Sequence, residues 1–489
     1  MYIGIDLGTS SVKTVLMDGD QRIVASASAS MEVSRPQSGW SEQNPADWIA
    51  GVESTFDELK DGHASLLSAV SGIGLSGHMH GATLVDASDK VLRPCILWND
   101  TRSHREAALL DTERSRALCG NILFPGFTAP KLAWVANNEP DVFAKVSKVL
   151  LPKDYLRLWL TGEHVSEMSD AAGTGWLDVA KRDWSDDLLA ACNLDRSNMP
   201  ALVEGVESSG TLRTELAGRF GIPHSAVVAG GAGDNAASAC GMGVVAPGAA
   251  FVSLGTSGVL FASNESYRPN ADSAVHTFCH AIPDTWHQMG VMLAATDSLN
   301  WLSAVTDLPA AELTSKLESR RYEPTEVLYL PYLGGERTPH NNADARGVFI
   351  GLSHSTDAAE LTCAVLQGVG FAFRDCFNAL AASGTELDSA FVIGGGSRSD
   401  YWVQQMASIL EIPLHKTVDG DFGASLGAAR LGMIAAEQCD PLSVCTTPTI
   451  ESTVEPDTSI SEQLAHHYER FQAGYKSLQP LFASRDPKK

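Results

Sequence analysis

One short phrase occurs twice in this chain, and it limits the fold more than any other feature. Tyr2-Ile3-Gly4-Ile5-Asp6-Leu7-Gly8-Thr9-Ser10-Ser11-Val12-Lys13 opens the sequence, and Phe251-Val252-Ser253-Leu254-Gly255-Thr256-Ser257-Gly258-Val259 repeats it. In each copy an apolar strand enters Leu-Gly-Thr-Ser and a second apolar strand leaves. The small residues at the tip let backbone N–H groups approach an anion closely. Hydroxyls of Thr9, Ser10, Thr256 and Ser257 supply further donors. Two phosphate-holding hairpins imply a duplicated, two-lobed phosphotransferase. The copies differ at one position: Asp6 stands at the first strand end where the second has Ser253. The first loop can therefore hold a metal, and the second can hold only phosphate oxygens.

At 489 residues the chain is too long for one ordinary core and suits two domains. Its 35 Lys and Arg against 59 Asp and Glu give a formal charge of −24, which repels nucleic acid and anionic membranes. No basic run offsets this, so no nucleic-acid partner is expected, and a nucleotide must be bound locally by backbone dipoles and magnesium. The nine cysteines form no Cys-x-x-Cys pair and no zinc-spaced cluster, so they read as buried, reduced thiols of a cytoplasmic protein. No apolar segment is long enough to span a bilayer, and no membrane partner is expected.

Periodicity places strands at 2–7, 11–17, 22–27, 70–75, 83–85 and 91–97, with an amphipathic helix from Pro45 to Lys60. Residues 100–220 read as mostly helical and irregular. An apolar strand then enters Gly230-Gly231-Ala232-Gly233-Asp234-Asn235, and an Ala-rich helix follows. Gly243 to Gly248 marks a hinge, dividing the chain into lobes 1–245 and 246–489. The second lobe has strands at 250–254 and 258–263 and a helix near 357–382, where Leu361, Val365, Val369 and Phe373 make one buried stripe. A strand to Ile393, the turn Gly394-Gly395-Gly396, a helix from Ser399 and a capping helix at 461–482 complete it.

Asp234 is the strongest catalytic candidate. A carboxylate directly after Gly-Gly-Ala-Gly is surrounded by bare backbone, and it can take the proton of a hydroxyl that attacks a γ-phosphoryl group. The plainer reading is a helix N-cap for the segment from Asn235. Asp6 can hold magnesium through waters, because Mg2+ dehydrates reluctantly and often takes only one or two carboxylates besides phosphates. Lys13 is a weaker phosphate partner. Met79 and His80, at one strand end, offer a thioether to cover a carbon face and an imidazole for a sugar hydroxyl. Trp98-Asn99-Asp100-x-Arg102 adds groups suited to a polyol, its plainer reading being a salt-bridged loop. Gly394-Gly395-Gly396 can let an adenine or ribose lie on bare backbone, with Gly420 to Ala424 as the other wall. Glu336 to His340 is a polar loop at the interlobe cleft.

Together these phrases resemble the FGGY carbohydrate kinases, of the actin, hexokinase and Hsp70-like ATPase superfamily. Gly126-Phe127-Thr128-Ala129-Pro130-Lys131-Leu132-Ala133-Trp134-Val135-Ala136-Asn137-Asn138 matches the first family signature, and Gly347 to Gln367 matches the second. The resemblance covers about residues 1–435 and implies an α/β fold of two ribonuclease H-like lobes around a central cleft. Sugar would sit on the first lobe and ATP mainly on the second. Asp234 falls at the family's general base and Asp6 at its metal site. Met79-His80 and Trp98-Asn99-Asp100, with Asp234 and Asn235, look like the D-xylulose version of the sugar pocket. Gly8, Thr9, Ser10, Lys13, Gly255, Thr256, Ser257, Gly258 and Gly394 to Gly396 would meet the nucleotide. The implied activity is MgATP-dependent phosphorylation of D-xylulose to its 5-phosphate, and a homodimer is a family-level expectation. Another ketose or polyol such as ribulose, or a non-catalytic actin-like nucleotide-binding role, are the alternatives.

Overall fold

The computed structural model describes residues 1–317, 322, 324–418 and 423–482. Its frame is one five-stranded pattern used twice. In the first half the strands lie in the order Ile23–Ser30, Ser11–Met17, Tyr2–Leu7, Gly72–Gly77, Val227–Ala229. In the second they lie in the order Trp286–Met292, Gly258–Asn264, Ala250–Leu254, Ala390–Ile393, Leu414–Thr417. Both sets begin as an antiparallel meander and continue with two parallel strands. Each sheet reaches seven strands by additions that differ: Ser208–Thr211 and Ala232–Gly233 in the first, His276–Cys279 and Ile450–Val454 in the second.

The expected helices form where local signals start them. Asn44 accepts a hydrogen bond from the Ala46 N–H and Pro45 opens helix Pro45–Leu67, longer than the sequence suggested and interrupted at His63. Asp357 caps helix Ala358–Ala381, in which Val365, Val369 and Phe373 are fully buried. The strand expected at 91–97 shrinks to Cys95–Ile96, preceded by Pro94, which has no N–H for a ladder, and by Arg93, whose side chain binds Glu42 and Glu139. The segment after 435 is integral to the second half. It supplies the edge strand Ile450–Val454 and helix Ser461–Phe482, which buries Leu464, Phe471 and Tyr475 in the second-half core.

The two halves exchange helices. Helix Asp234–Met242, the end of the first half, puts Ala239 and Met242 into a cluster with Phe251, Phe261 and Phe391 of the second sheet. Helix Ala424–Glu437, from the second half, lies on the first sheet beside Tyr2, Val15 and Met17. Glycines allow the approach: a Cβ on Gly4 would stand 1.9 Å from the Ser425 carbonyl oxygen, and one on Gly74 only 1.7 Å from that of Ala428. The two exchanged helices also touch each other, since a Cβ on Gly427 would lie 1.7 Å from the Ala237 carbonyl oxygen. Arg430 fastens this seam by donating to the carbonyls of Cys240, Gly241 and Thr446. The floor of the cleft is thus built from both halves.

Candidate active site

The sheet register brings Asp6 to the cleft. Asp6 stands opposite Lys13 on one side and Ser76 on the other, so the three side chains share one face. Gly4 and Tyr2 point to that face too, but the exchanged helix begins only at Ala424, against Gly4, which leaves Asp6 just beyond its end. Asp6 is half-buried, and its Oδ1 accepts the Ser76 hydroxyl at 2.9 Å. Burial raises its pKa, while the Ser76 hydrogen bond and the Lys13 charge oppose the rise.

Ala232 and Gly233 pair with Ser76 and Gly77, which carries the chain to Asp234 next to Asp6. Asp234 is half-buried at the head of its helix. Its Oδ1 accepts both the Asn235 N–H at 2.7 Å and the Asn235 Nδ2 at 3.0 Å. Among the described residues no donor reaches Oδ2, the oxygen left to take a proton. Burial and then the charge of Asp6 push the carboxyl up to about 6. Such a group is ionised at neutral pH yet basic enough to accept a proton as an alcohol attacks.

His80 is held in the left-handed region at φ 69°. Its carbonyl accepts hydrogen bonds from Thr128 Oγ1 at 3.1 Å and Lys131 Nζ at 2.8 Å, and its ring stacks on Phe127 at 4.6 Å. The first signature thus forms a cradle for His80, a role its letters do not reveal. The ring Nδ1 is 2.6 Å from the Gly173 carbonyl, which only accepts, so Nδ1 carries the hydrogen. Burial lowers the ring pKa to about 3, so His80 is neutral and its Nε2 is an acceptor for a hydroxyl. Met79 is wedged between two glycines: a Cβ on Gly233 would meet its Cγ at 2.9 Å, and one on Gly173 its Cε at 2.8 Å.

The Trp98-Asn99-Asp100 phrase divides. Trp98 is 47% exposed and donates from Nε1 to Thr9 Oγ1 at 3.0 Å, which joins its loop to the first hairpin. Asn99 is exposed. Asp100 is 1% exposed and chelated by Arg102, with Oδ2 also accepting the Ser41 N–H at 2.6 Å. Its carboxylate is occupied, so the plainer salt-bridge reading fits the geometry of Asp100 better than sugar contact.

The first hairpin is anchored by the Gly8 N–H donating to Ser11 O and by Gln43 Nε2 donating to Thr9 O at 2.7 Å, with Ser10 exposed at the tip. In the second, Thr256 and Ser257 are exposed and Gly258 is buried. The Gly255 carbonyl accepts from the Thr296 N–H and hydroxyl, which ties this hairpin to helix Thr296–Thr306. Gly394, at φ 90°, lies so close that a Cβ would stand 2.7 Å from the Leu254 carbonyl oxygen. Beside it a cleft of 470 Å³ is lined by Gly395, Gly396, Arg398 and Ser399 on one side and Thr296, Asn300, Ala311 and Thr314 on the other. The sequence pointed to the glycines but not to Asn300, Ala311 or Thr314 of the facing wall, which lie some 80 to 100 positions earlier and become adjacent only through folding. The other expected wall, Gly420 to Phe422, lies outside the described residues.

Glu336 turns inward. Its Oε1 accepts the Leu293 and Arg337 N–H groups, and burial pushes its carboxyl up to about 8. Arg337 lies over Phe124 at 4.0 Å and donates to His276 at 3.3 Å, so this loop does meet the first half.

Two neighbouring carboxylates, two small-residue hairpins and a 470 Å³ cleft beside the second hairpin are the groups that a phosphotransferase needs. Residues 1–241 match the N-terminal domain, and residues 250–436 the C-terminal domain, of the FGGY family of carbohydrate kinases, and the chain belongs to that family. It is 48% identical to the xylulose kinase of Escherichia coli K12 over 99% of this chain and all of that one. It is also similar to the crystal structure of a "xyloylose kinase" from Brucella ovis, at 56% identity and TM-score 0.97, covering 98% of this chain and 99% of that one. Glycerol kinase from Plasmodium falciparum shares the fold at TM-score 0.88 and 19% identity, over 97% of this chain and 98% of that one, so the architecture alone does not choose the sugar. Among the described residues no helix is long and apolar enough to cross a membrane.

Proposed function

We propose that this chain transfers the γ-phosphoryl group of ATP to O5 of D-xylulose, giving D-xylulose 5-phosphate. The observation that carries the chemistry is the geometry of Asp234: Oδ1 accepts both Asn235 donors, and among the described residues no donor reaches Oδ2, while burial and the charge of Asp6 push the carboxyl up to about 6. The similarity to xylulose kinases supports the choice of sugar. The sugar lies over Met79 with a hydroxyl donating to His80 Nε2, and its terminal hydroxyl meets Asp234. Asp234 takes that proton as the oxygen attacks, and Trp98 closes the side toward the first hairpin. The second hairpin and the glycine turn hold the nucleotide, with the nucleoside in the cleft between Gly395 and Thr314.

Asp6, a half-buried carboxylate at the end of the first hairpin's strand, suits Mg2+ held through its waters, which leaves Asp234 to act as base. Among the described residues no group of three or more His, Cys, Asp or Glu forms a complete cage. This matches an ion that keeps several waters and takes its remaining ligands from phosphates. When bound, magnesium neutralises charge on the transferred phosphoryl group. All nine cysteines are free, in line with a cytoplasmic enzyme, and a homodimer is expected by light scattering.

The test is ADP release with MgATP against D-xylulose, D-ribulose, L-ribulose, glycerol and no sugar. Selective turnover of D-xylulose supports the reading. Preference for another sugar keeps the kinase and reassigns the pocket around Met79 and His80, and no sugar-stimulated turnover refutes it.

A further inference from the structure

The helical turn Ser169 to Gly173, where helix Met168–Ala171 passes into the 3-10 turn Ala172–Thr174, is remote in sequence from both Asp234 and His80, yet it touches the support of each. Ser169 Oγ accepts the N–H of Gly233, the residue immediately before Asp234, at 3.1 Å. Four residues on, the Gly173 carbonyl accepts from His80 Nδ1 at 2.6 Å. Met79 fills the space between, against both Gly173 and Gly233.

The turn is itself fixed from beneath. Glu167 accepts the Ser169 and Asp170 N–H groups at 2.7 and 3.0 Å, and the Ser169 hydroxyl donates to Glu167 Oε1 at 3.1 Å. With its hydrogen committed to Glu167, the Ser169 oxygen presents a lone pair to Gly233. Lys153 Nζ anchors Glu167 at 3.2 Å and also binds Asp154 and Asp170, all fully buried. On the other side of the glycine turn, Arg157 donates to the carbonyls of Ala229 at 2.7 Å and Gly230 at 2.6 Å. The approach to Asp234 is therefore held at Ala229, Gly230 and Gly233 by side chains that never reach the cleft floor.

We infer that the Ser169–Gly173 turn is a shared positioning element: Ser169 sets the general base, and Gly173 sets the sugar-contacting face of His80 and Met79. This rests on the assignment of Asp234 as base and His80 as sugar contact. Buried packing alone would make substitutions in this turn lower stability without separating kinetic parameters. A positioning role predicts a split, because Ser169 governs a contact that matters in the transition state and Gly173 one that matters for ground-state binding.

The experiment measures kcat and KM for D-xylulose in full-length Ser169→Ala and Gly173→Ala, beside wild type and Asp234→Asn. Retained ATP binding at the distant second-half cleft and a cooperative melt serve as fold checks. Ser169→Ala is expected to lower kcat about tenfold or more with KM changed less than about twofold. Gly173→Ala, whose Cβ would stand 2.7 Å from the His80 ring, is expected to raise KM about tenfold with kcat within about threefold. If Ser169→Ala does not fold, Ser169→Cys keeps the shape with a weaker acceptor and carries the same expectation. Equal effects of the two substitutions on the same parameter, or no effect of either, overturn the inference. An inactive Asp234→Asn beside an unaffected Ser169→Ala rejects this inference alone. An active Asp234→Asn rejects the reading beneath it.

Discussion

The negative charge of Asp6 raises the proton affinity of Asp234, second only to burial, and together they bring that carboxyl to about 6. A base must be deprotonated to work, so kcat/KM for the sugar should be flat above neutrality and fall below pH 6 with a slope of one proton. Asp6→Asn removes the charge but not the burial. Its acidic limb should therefore move to lower pH even as turnover drops, and a pH profile of the variant checks the sign.

Asp234→Asn keeps the size of the side chain and its place at the helix head but removes the base. The expected loss in kcat is about 10²–10⁴-fold, the usual contribution of a positioned base. Circular dichroism and nucleotide binding should match wild type. Near-normal turnover in a folded variant would remove Asp234 from the mechanism.

Gly74 faces the exchanged helix with no room for a methyl group, and what it would strike is backbone, which cannot rotate away. Gly74→Ala should cost about 3 kcal/mol or more, or prevent folding. Gly19→Ala, with nothing within 4 Å of its Cβ, is the neutral comparison. Chemical denaturation of the two variants measures the difference.

Glu336 has a folded-state carboxyl near 8 against an ordinary value of 4.5, with burial as the main cause. Between those values the unfolded chain has released the proton that the folded protein still holds, so stability falls as pH rises through that window. Glu336→Gln does not titrate and keeps an oxygen for the Leu293 and Arg337 N–H groups. Relative to wild type, its melting temperature should improve steadily from pH 5 to pH 8. A constant difference across that range would mean Glu336 is ionised in the fold.

Sequence alone determined what is local. The two Leu-Gly-Thr-Ser hairpins, the strand into Gly-Gly-Ala-Gly-Asp, and the helix near 357–382 are each specified within a few consecutive residues by side-chain size, turn chemistry or apolar period. The α/β class and the family followed from them. Only tertiary structure decided what depends on distant neighbours. Asp100 reads as a polyol contact or as part of a salt-bridged loop, and only the fold shows Arg102 and the Ser41 N–H occupying it. Thr128 and Lys131 read as part of a signature until both are found on the His80 carbonyl. The glycines of the first sheet gain their reason from a helix more than 350 positions away, contributed by the other half of the chain and packed against them. Hydrogen bonds and close packing act over a few ångströms irrespective of chain distance, so the hairpins and the carboxylate after the glycine turn can be read along the sequence, but the partners that hold them in register cannot.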